Sequence, residues 1–271
     1  MTSVDLGDIF ETGLPIESTL EGAVRRQVRA DHVAVVEFTR APHNYFDRDM
    51  VAALVQACER SADDGARAVV LCSAGKSFCA GADLAATPEG GFDPAPLYGE
   101  AVKLFRQPLP MVAAIQGAAI GGGAGLALAA DLRVASPQAR FAVNFATIGI
   151  HHGFGLSVTL PRVVGNQAAM DLLYTGRRIS AEEALRIGLV DRLSAVPDVR
   201  IDALMLAQQI AASAPLAVAA IRRTLRGDLA DRVAQAVATE CTEQLILSES
   251  ADFAEGVRAV AERRPGNFIA R

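Results

Sequence analysis

A run of four glycines within five residues has the clearest chemical potential in this chain. Gly121–Gly123 and Gly125 lie between the apolar segments Met111–Ile115 and Leu126–Ala130. This order predicts a strand that enters a turn without side chains and leaves it as a helix. Unsatisfied N–H donors and the helix dipole favour negative charge at a helix N-terminus. The run therefore predicts an anion or oxyanion site, although a tight turn or close helix–sheet packing would use the same glycines.

The run matches neither of the two common nucleotide-binding loops. A Walker A loop needs Lys and then Ser or Thr after its last glycine, whereas Leu126 follows Gly125 here. The dinucleotide fingerprint needs a third glycine at the position of Leu126, and no strand with an acidic end is evident about twenty residues later. We therefore do not predict a nucleotide site from these glycines.

Hydrophobic periodicity indicates the elements that must position this run. It predicts strands over His32–Phe38, Ala68–Cys72, Met111–Ile115, Leu132–Ala135 and Arg140–Val143. It predicts helices around Met50–Cys58 and over Val158–Val163, Gln167–Tyr174, Ala181–Ile187, Ala203–Arg226 (with Pro215 beginning a new helix) and Ala230–Ser248. The predicted organisation is a lead-in over residues 1–25, an α/β core of strand–strand–helix units over 26–200 and a helical subdomain over 201–271.

Composition excludes several classes of function. The 271 residues carry 26 Lys and Arg against 31 Asp and Glu, without a long basic run, so nucleic acid is not an expected partner. No stretch of 18 apolar residues is free of charges and turn signals, so no membrane association is expected. The N-terminus lacks the pattern of a secretory signal, and the four cysteines have no C-x-x-C spacing. We expect a cytoplasmic protein with buried thiols and no metal site.

The motifs along the chain resemble those of the crotonase superfamily, also called the enoyl-CoA hydratase/isomerase family. The resemblance covers roughly residues 30–195 in the family's order and extends to the C-terminal end. It is carried by Phe78–Leu84, Gly117–Gly123, Asp131–Ala135, Leu160–Gly165, Thr175–Ala184, Gly188–Asp191, Glu255–Gly256 and Asn267–Phe268.

This resemblance implies a spiral of ββα repeats with a C-terminal helical subdomain, assembled as a homotrimer or a dimer of trimers. The ligand would be an acyl-CoA thioester, with coenzyme A as part of the substrate and no other cofactor. The backbone N–H groups of Ala82 and Gly122 would bind the thioester oxygen, the carbonyl of Ala80 would meet the CoA portion, and His43 would lie near its phosphates. Further substrate contacts would come from Asp83, Leu84, Gly121, Gly125, Asn144, Phe145 and Gly153. Asp83 is also favoured as a helix cap.

The chain departs from the family's hydratases at both of their glutamates. Those enzymes place one glutamate two positions after the triple glycine and another after the next strand, and these positions align with Gly125 and Phe145. Neither side chain exchanges a proton, so the acid–base step, which contributes roughly 10²–10⁴-fold, has no carrier there. Ordinary hydration of an enoyl-CoA is therefore doubtful.

The loop Gly149–Gly155 contains two of the four histidines, His151 and His152. Family members with other chemistry often place an acid or base in this loop. Naphthoyl-CoA synthases have an aspartate at the position of His152, and dehalogenase-like members have one nearer Gly153. An imidazole with its unperturbed pKa of about 6.5 can act as a base near neutral pH. We predict that one of the two histidines is the base; alternatively, both only pack or hydrogen-bond in the loop.

Three functions remain open at this point. The leading hypothesis is a lyase or isomerase that forms a thioester enolate, for isomerisation, decarboxylation, C–C cleavage or a specialised hydration. The second is an enoyl-CoA hydratase whose carboxylate is Glu89, Asp93 or Glu100, carried by a loop over residues 88–100 that folds over the acyl chain. The third is a non-catalytic acyl-CoA binder, in which Gly125 and Phe145 line an apolar pocket for a long chain.

Overall fold

The computed structural model describes residue 9 and residues 13–20, 22–83 and 92–271. Within these residues the strands are β1 (Glu17–Thr19), β2 (Val24–Val28), β3 (Val33–Phe38), β4 (Ala68–Ser73), β5 (Met111–Ile115), β6 (Ala118–Ile120), β7 (Leu132–Ala135), β8 (Arg140–Ala142), β9 (Ile179–Ser180) and β10 (Arg192–Leu193). The helices are α1 (Arg48–Asp63), α2 (Ala95–Phe105), α3 (Gly122–Ala129), α4 (Leu156–Val164), α5 (Asn166–Thr175), α6 (Ala181–Arg186), α7 (Val199–Ala211), α8 (Pro215–Arg226), α9 (Leu229–Ser248) and α10 (Ala251–Glu262).

These strands form two sheets. The larger has the order β1-β2-β3-β4-β5-β7-β10, with antiparallel pairs up to β3 and parallel pairs beyond it. The smaller has the order β6-β8-β9, in which β6 and β8 are parallel and β8 and β9 are antiparallel. Strands β5 and β7 of the large sheet are each followed directly by a strand of the small sheet and then by a helical segment. The chain therefore repeats a ββα unit that alternates between the sheets.

The large sheet is apolar on both faces because helices cover both. On β3, Val33 and Val35 belong to a cluster completed by α7, whereas Ala34 and Val36 belong to the main core with α1, α2, α3 and α9. Every residue of β3 and β4 is buried, as expected for strands covered on both sides. Burial on both faces explains why the predicted strands at 32–38 and 68–72 are apolar along most of their length.

The elements predicted from periodicity are confirmed, with shifts of a few residues at their ends. Pro215 begins α8, as predicted, because a residue without an N–H costs nothing in the first turn of a helix. The predicted buried thiols are also confirmed, since all four cysteines are free and buried. No single helix in the described part of the chain is long and apolar enough to cross a membrane; α7 and α8 reach that length and hydropathy only as a pair bent by 107°.

Two strands lie within the first 28 residues, where the sequence predicted a lead-in up to residue 25. Strand β2 contains two consecutive arginines, which obscure its apolar alternation. Arg26 is nevertheless buried, because Glu17 and Asp64 each place a carboxylate oxygen 2.6 Å from its guanidinium. Long-range ion pairs therefore allow a charged sequence to form an interior strand.

The prediction of a covering loop over residues 88–100 is wrong for its second half, because α2 begins at Ala95. Pro96 lies in the first turn, where its missing N–H is not needed. Tyr98 and Ala101 on this helix are buried in the main core. Residues 88–91 of the predicted loop lie outside the described residues.

Asp131 anchors α8 to the core. Its carboxylate accepts from the N–H of Met111 at 2.8 Å. It also pairs with Arg222 at 2.9 Å and with Arg226 at 2.7 Å. Burial lowers the pKa of Arg222, an effect opposed by the carboxylate beside it. Helix α8 is thus held by polar contacts, since none of its residues is buried.

Candidate active site

The loop after β4 is held between two backbone segments. Cys79 exchanges two backbone hydrogen bonds with β6, at 2.9 and 3.0 Å. On the opposite side, the N–H of Ala80 donates to the carbonyl of His43 at 3.0 Å, and the N–H of Phe46 donates to the carbonyl of Gly81 at 2.9 Å. These bonds fix the end of the loop beside the glycine run.

The N–H groups of Ala82 and Gly122 belong to adjacent segments. Gly81 has φ of +87° and approaches the glycine run so closely that a Cβ on it would be 3.2 Å from the nitrogen of Gly122. Gly122 begins α3, and the first N–H groups of a helix have no acceptor within it. Within the described residues, the N–H groups of Ala82 and Gly122 make no hydrogen bond. The two segments therefore lie side by side, each with a backbone N–H that no described residue accepts.

Close packing explains why the run contains glycine. A Cβ on Gly123 would lie 2.1 Å from the carbonyl oxygen of Cys79, and one on Gly122 would lie 2.6 Å from Cζ of Phe46. Real Cβ atoms do not approach other atoms so closely, and a main-chain oxygen cannot rotate away as a side chain can. The glycines therefore allow close packing of α3 on the loop after β4, and the same packing places Gly122 beside Gly81.

Gly125 faces the protein interior. A Cβ on it would lie 2.8 Å from Cβ and 3.0 Å from Cγ of Phe154. Phe154 is buried, has φ of +61° and packs with its ring 5.2 Å from that of Phe46 and 6.4 Å from that of Tyr98. The space expected beside Gly125 for a long acyl chain is therefore filled by an aromatic side chain.

Phe145 and Asn144 border the start of the glycine run. A Cβ on Gly121 would lie 3.7 Å from Cζ of Phe145 and 3.7 Å from Oδ1 of Asn144. The ring of Phe145 also makes an edge contact with His152, with 6.5 Å between ring centroids. Phe145 thus lies between Gly121 and one of the two predicted bases.

His151 and His152 stack on each other, with ring centroids 4.0 Å apart and planes inclined by 25°. Nδ1 of His151 lies 2.7 Å from the carbonyl oxygen of His152, so it carries a proton. Nε2 of His152 lies 2.8 Å from Oγ of Ser157. Burial, with a smaller effect from His151, lowers the pKa of His152 to about 4. Its imidazole is therefore neutral at pH 7.

Two polar residues of α9 form hydrogen bonds with the loop Gly149–Gly155, here called the histidine loop, and with the start of α4. Gln244 donates to the carbonyl of His151 at 2.7 Å and accepts from the hydroxyl of Tyr98 at 3.0 Å. The carboxylate of Glu240 accepts from Ser157 and from the backbone at the start of α4. Both α9 side chains are buried. The loop is therefore fixed by polar contacts on the side away from solvent.

The remaining predicted residues occupy varied positions. His43 is exposed, and its ring contacts Tyr45 at 5.5 Å. A Cβ on Gly153 would lie 1.8 Å from the hydroxyl oxygen of Tyr98, so this glycine packs against the core. Asp83 ends the described part of the loop, and Leu84 lies outside the described residues.

The acidic residues considered for a relocated carboxylate have local structural contacts. Asp93 is exposed, and its side chain accepts from the N–H of Ala95 at 3.0 Å, at the start of α2. Glu100 pairs with Lys103 at 2.8 Å, one helical turn away. Glu89 lies outside the described residues. Neither described carboxylate is hydrogen-bonded to the histidine loop.

Four residues that contact the histidine loop or the glycine run were not predicted from the sequence: Ser157, Phe154, Glu240 and Gln244. A weak signal was present for two of them: Glu240 and Gln244 fall on the same face of α9 as the buried Val233, Val237 and Cys241. Polar residues that interrupt an apolar stripe are buried with partners, since burial without hydrogen bonds is costly. The spacing of residues along α9 does not indicate which groups Glu240 and Gln244 bind.

Comparison with known proteins gives one consistent family. Residues 29–271 match the family model described as enoyl-CoA hydratase/isomerase. The chain belongs to the enoyl-CoA hydratase/isomerase family. It is 36% identical over 267 residues to the enoyl-CoA hydratase EchA19 of Mycobacterium tuberculosis, covering 93% of this chain and 98% of that protein. It is 30% identical over 238 residues to the 1,2-epoxyphenylacetyl-CoA isomerase of Escherichia coli, covering 84% and 91%.

A solved structure supports the same family. The enoyl-CoA hydratase/isomerase of Pseudoalteromonas atlantica matches with a TM-score of 0.82 and 33% identity, over 91% of this chain and 100% of that one. The predicted α/β fold of the crotonase type, with its helical C-terminal part, is thereby confirmed, as is the prediction of an enzyme that acts on acyl-CoA compounds. The enoyl-CoA hydratase/isomerase family includes relatives named for different reactions, so membership leaves the reaction of this chain to its own residues.

Proposed function

We propose that this enzyme stabilises the enolate of an acyl-CoA thioester with the N–H groups of Ala82 and Gly122. The observation that carries the proposal is the pair of donors, which come from adjacent loops and have no acceptor among the described residues. Removal of a proton next to a thioester builds negative charge on the thioester oxygen. Backbone donors already in place for that charge are each worth a few kcal/mol of transition-state stabilisation in comparable sites.

His152 is the proposed base that takes the α-proton of the thioester. With a pKa of about 4 it has nearly the basicity of an ordinary glutamate, whose pKa is about 4.3. The family's hydratases use glutamates at the positions that align with Gly125 and Phe145, so His152 would supply similar basicity from another loop. Unlike a carboxylate, an imidazole becomes positively charged when it accepts the proton. That charge would favour an enolate formed beside it.

The reaction that follows the enolate is of the isomerase or lyase class. A simple hydratase that uses glutamates at the usual positions is not supported, because Phe154 occupies the space next to Gly125 where a longer side chain would extend. A hydratase with a relocated carboxylate would depend on Glu89, since Asp93 and Glu100 have other contacts. A passive binder would not need a neutral imidazole near the glycine run.

Exchange of the α-hydrogens of butyryl-CoA in D₂O tests the enolate directly, because it requires no knowledge of the natural acyl group. The wild-type enzyme should incorporate deuterium at the α-carbon, detected by mass spectrometry. The variant His152→Ala should lose at least about 100-fold of the exchange rate, the lower limit of a general base. His151→Ala is the matched control and should exchange much more rapidly than His152→Ala. A parallel panel of enoyl-, malonyl-type, β-keto and aromatic CoA esters would identify the complete reaction.

Three results would contradict this proposal. Binding of butyryl-CoA without exchange or turnover of any ester would favour the passive binder. Hydration of crotonyl-CoA that survives both histidine substitutions would favour a relocated carboxylate. A loss confined to His151→Ala would move the base to the neighbouring ring.

The proposal includes assembly as a homotrimer or a dimer of trimers. Support comes from apolar residues on the outside of the C-terminal helices: Leu216 is 86% exposed, Leu225 is 70% exposed and Ile246 is 61% exposed. Large apolar side chains exposed on successive helices support an interface there, because contiguous exposed apolar patches mark interaction sites. Sedimentation equilibrium on wild type and on Leu216→Lys tests it, and a monomeric wild-type protein would refute it.

A further inference from the structure

Glu240 caps helix α4 from a distance of more than eighty residues in sequence. One oxygen of its carboxylate accepts the N–H of Gly155 at 2.8 Å, and the other accepts the N–H of Ser157 at 2.9 Å. No side chain within α4 caps its own N-terminus. A carboxylate at this position satisfies two of the free N–H groups and interacts favourably with the helix dipole. These hydrogen bonds fix the side chain of Glu240 and compensate for its complete burial.

The hydroxyl of Ser157 connects this carboxylate to His152. Oγ of Ser157 lies 2.6 Å from Oε1 of Glu240 and 2.8 Å from Nε2 of His152. An ionised carboxylate only accepts hydrogen bonds, and a serine hydroxyl has a single proton to donate. The three bonds that Glu240 accepts are those of a carboxylate, so the serine proton points to Glu240. Oγ of Ser157 then accepts, and Nε2 of His152 must be the donor.

The other nitrogen of His152 is left unprotonated by this arrangement. A neutral imidazole carries one proton, and the hydrogen bond to Ser157 places it on Nε2. Nδ1 of His152 has no hydrogen-bond partner among the described residues. The rings of His151 and Phe145 contact the imidazole and limit its rotation.

We propose that Ser157 and Glu240 are positioning residues that hold His152 as the Nε2–H tautomer, so that Nδ1 is the atom that takes the substrate proton. The catalytic part of this inference rests on the proposed function, whereas the tautomer assignment does not. In the proposed step, Nδ1 takes the α-proton, the C–H electron pair moves into the enolate, and the resulting imidazolium donates to Ser157. The carboxylate of Glu240 stabilises that cation through the serine hydroxyl.

The tautomer is measured by ¹⁵N NMR on protein labelled at its four histidines, with the signals of His152 assigned by their absence in His152→Gln. In wild type at pH 7, Nε2 should give the shift of a protonated nitrogen and Nδ1 that of an unprotonated one. Ser157→Ala should lose the single tautomer, and Ser157→Thr, which keeps the hydroxyl, should restore it. A merely structural role for Ser157 would leave the nitrogen shifts unchanged.

The same variants give the kinetic test by butyryl-CoA exchange in D₂O. Ser157→Ala should lower the maximal exchange rate by about 10- to 100-fold with little change in KM, because a general base contributes at least about that much. Ser157→Thr should recover most of the rate. Glu240→Gln should weaken both the tautomer preference and the stability of α4.

The outcomes separate this inference from the proposed function. A wild-type His152 with its proton on Nδ1, or a tautomer unaffected by Ser157→Ala, would overturn the positioning role. The expected nitrogen shifts in a protein that exchanges no α-hydrogen would support the tautomer assignment while refuting the enolate chemistry. A changed tautomer with an unchanged exchange rate would remove Nδ1 as the atom that accepts the proton.

Discussion

Two glycines in helices should respond in opposite ways to the same substitution by alanine. Gly125 in α3 is buried, and a Cβ on it would lie 2.8 Å from Cβ of Phe154. Gly99 in α2 is exposed, and a Cβ there would meet nothing within 4 Å. Neither glycine has the left-handed conformation that would oppose a side chain. The pair therefore isolates the contact with Phe154 from the general effect of glycine in a helix.

The expected magnitudes follow from these contacts. Replacing glycine by alanine inside a helix stabilises it by about 0.5–1 kcal/mol, which is the full effect expected for Gly99→Ala. An extra methyl group in a filled core costs about 1–3 kcal/mol. Phe154 cannot easily move, because Gly153 before it packs on Tyr98 and Gly155 after it packs on Val233. We expect Gly125→Ala to lower the free energy of unfolding by about 1–2 kcal/mol after the helix gain is subtracted.

Urea unfolding and thermal unfolding at a fixed protein concentration measure both variants, since oligomerisation makes stability depend on concentration. At roughly 2 °C per kcal/mol for a chain of this size, Gly125→Ala should melt a few degrees below wild type and Gly99→Ala slightly above it. A double variant with Phe154→Leu should recover part of the loss, as contacting residues couple by about 0.5–3 kcal/mol. Phe154 does not oppose a methyl group at position 125 if Gly125→Ala is as stable as Gly99→Ala, or if the effects of the Gly125 and Phe154 substitutions simply add.

Three further predictions concern the pH dependence of stability, the contact of Asp131 with α8 and the reactivity of the cysteine thiols. The pKa of His152 is about 4 in the folded chain and about 6.5 when unfolded, so protonation favours unfolding. The contribution of His152 to the free energy of unfolding should be fully present above pH 6.5 and should fall by at most about 3 kcal/mol towards pH 4. Urea unfolding at pH 7.5 and 5 should show less of this loss in His152→Gln; an equal loss would contradict the pKa. Asp131→Asn should cost about 1–3 kcal/mol in the same assay, because Arg222 and Arg226 lose their charge partner, and an unchanged midpoint would argue against the anchor. Burial raises the pKa of every cysteine thiol, to about 12 at Cys58 and Cys79, so native protein should resist iodoacetamide that labels it in urea, and rapid native labelling would refute this.

The predicted elements that the structure confirms are those with a strong local pattern. The continuous apolar segments at 68–72 and 111–115 are strands because both faces of the large sheet are covered. The spacing of Met50, Leu54 and Cys58 places them on the buried face of α1. Helix α2 was missed because its proline and glycine resemble those of a loop, and only the burial of Tyr98 and its neighbours against the core distinguishes it.

The candidate site also has one part that local sequence predicted and another that only the structure reveals. The glycine run and the two histidines were predicted as site residues from their residue types. Glycines at a helix start expose backbone N–H donors, and an imidazole can act as a base near neutral pH. Whether both histidines only pack could not be decided from adjacent positions in a loop. The structure shows that one bonds to backbone and the other to Ser157.

By itself, the sequence determined the repeating strand and helix pattern, the helix start at the glycine run and the resemblance to a family. These depend on the order of neighbouring residues, because periodicity and turn chemistry act over a few positions. Tertiary structure alone decided that Phe154 fills the space beside Gly125 and that Ser157 lies within hydrogen-bonding distance of both Glu240 and His152. Such contacts join residues far apart in the chain, and only the packing of α9 against the loop before α4 brings them within hydrogen-bonding distance.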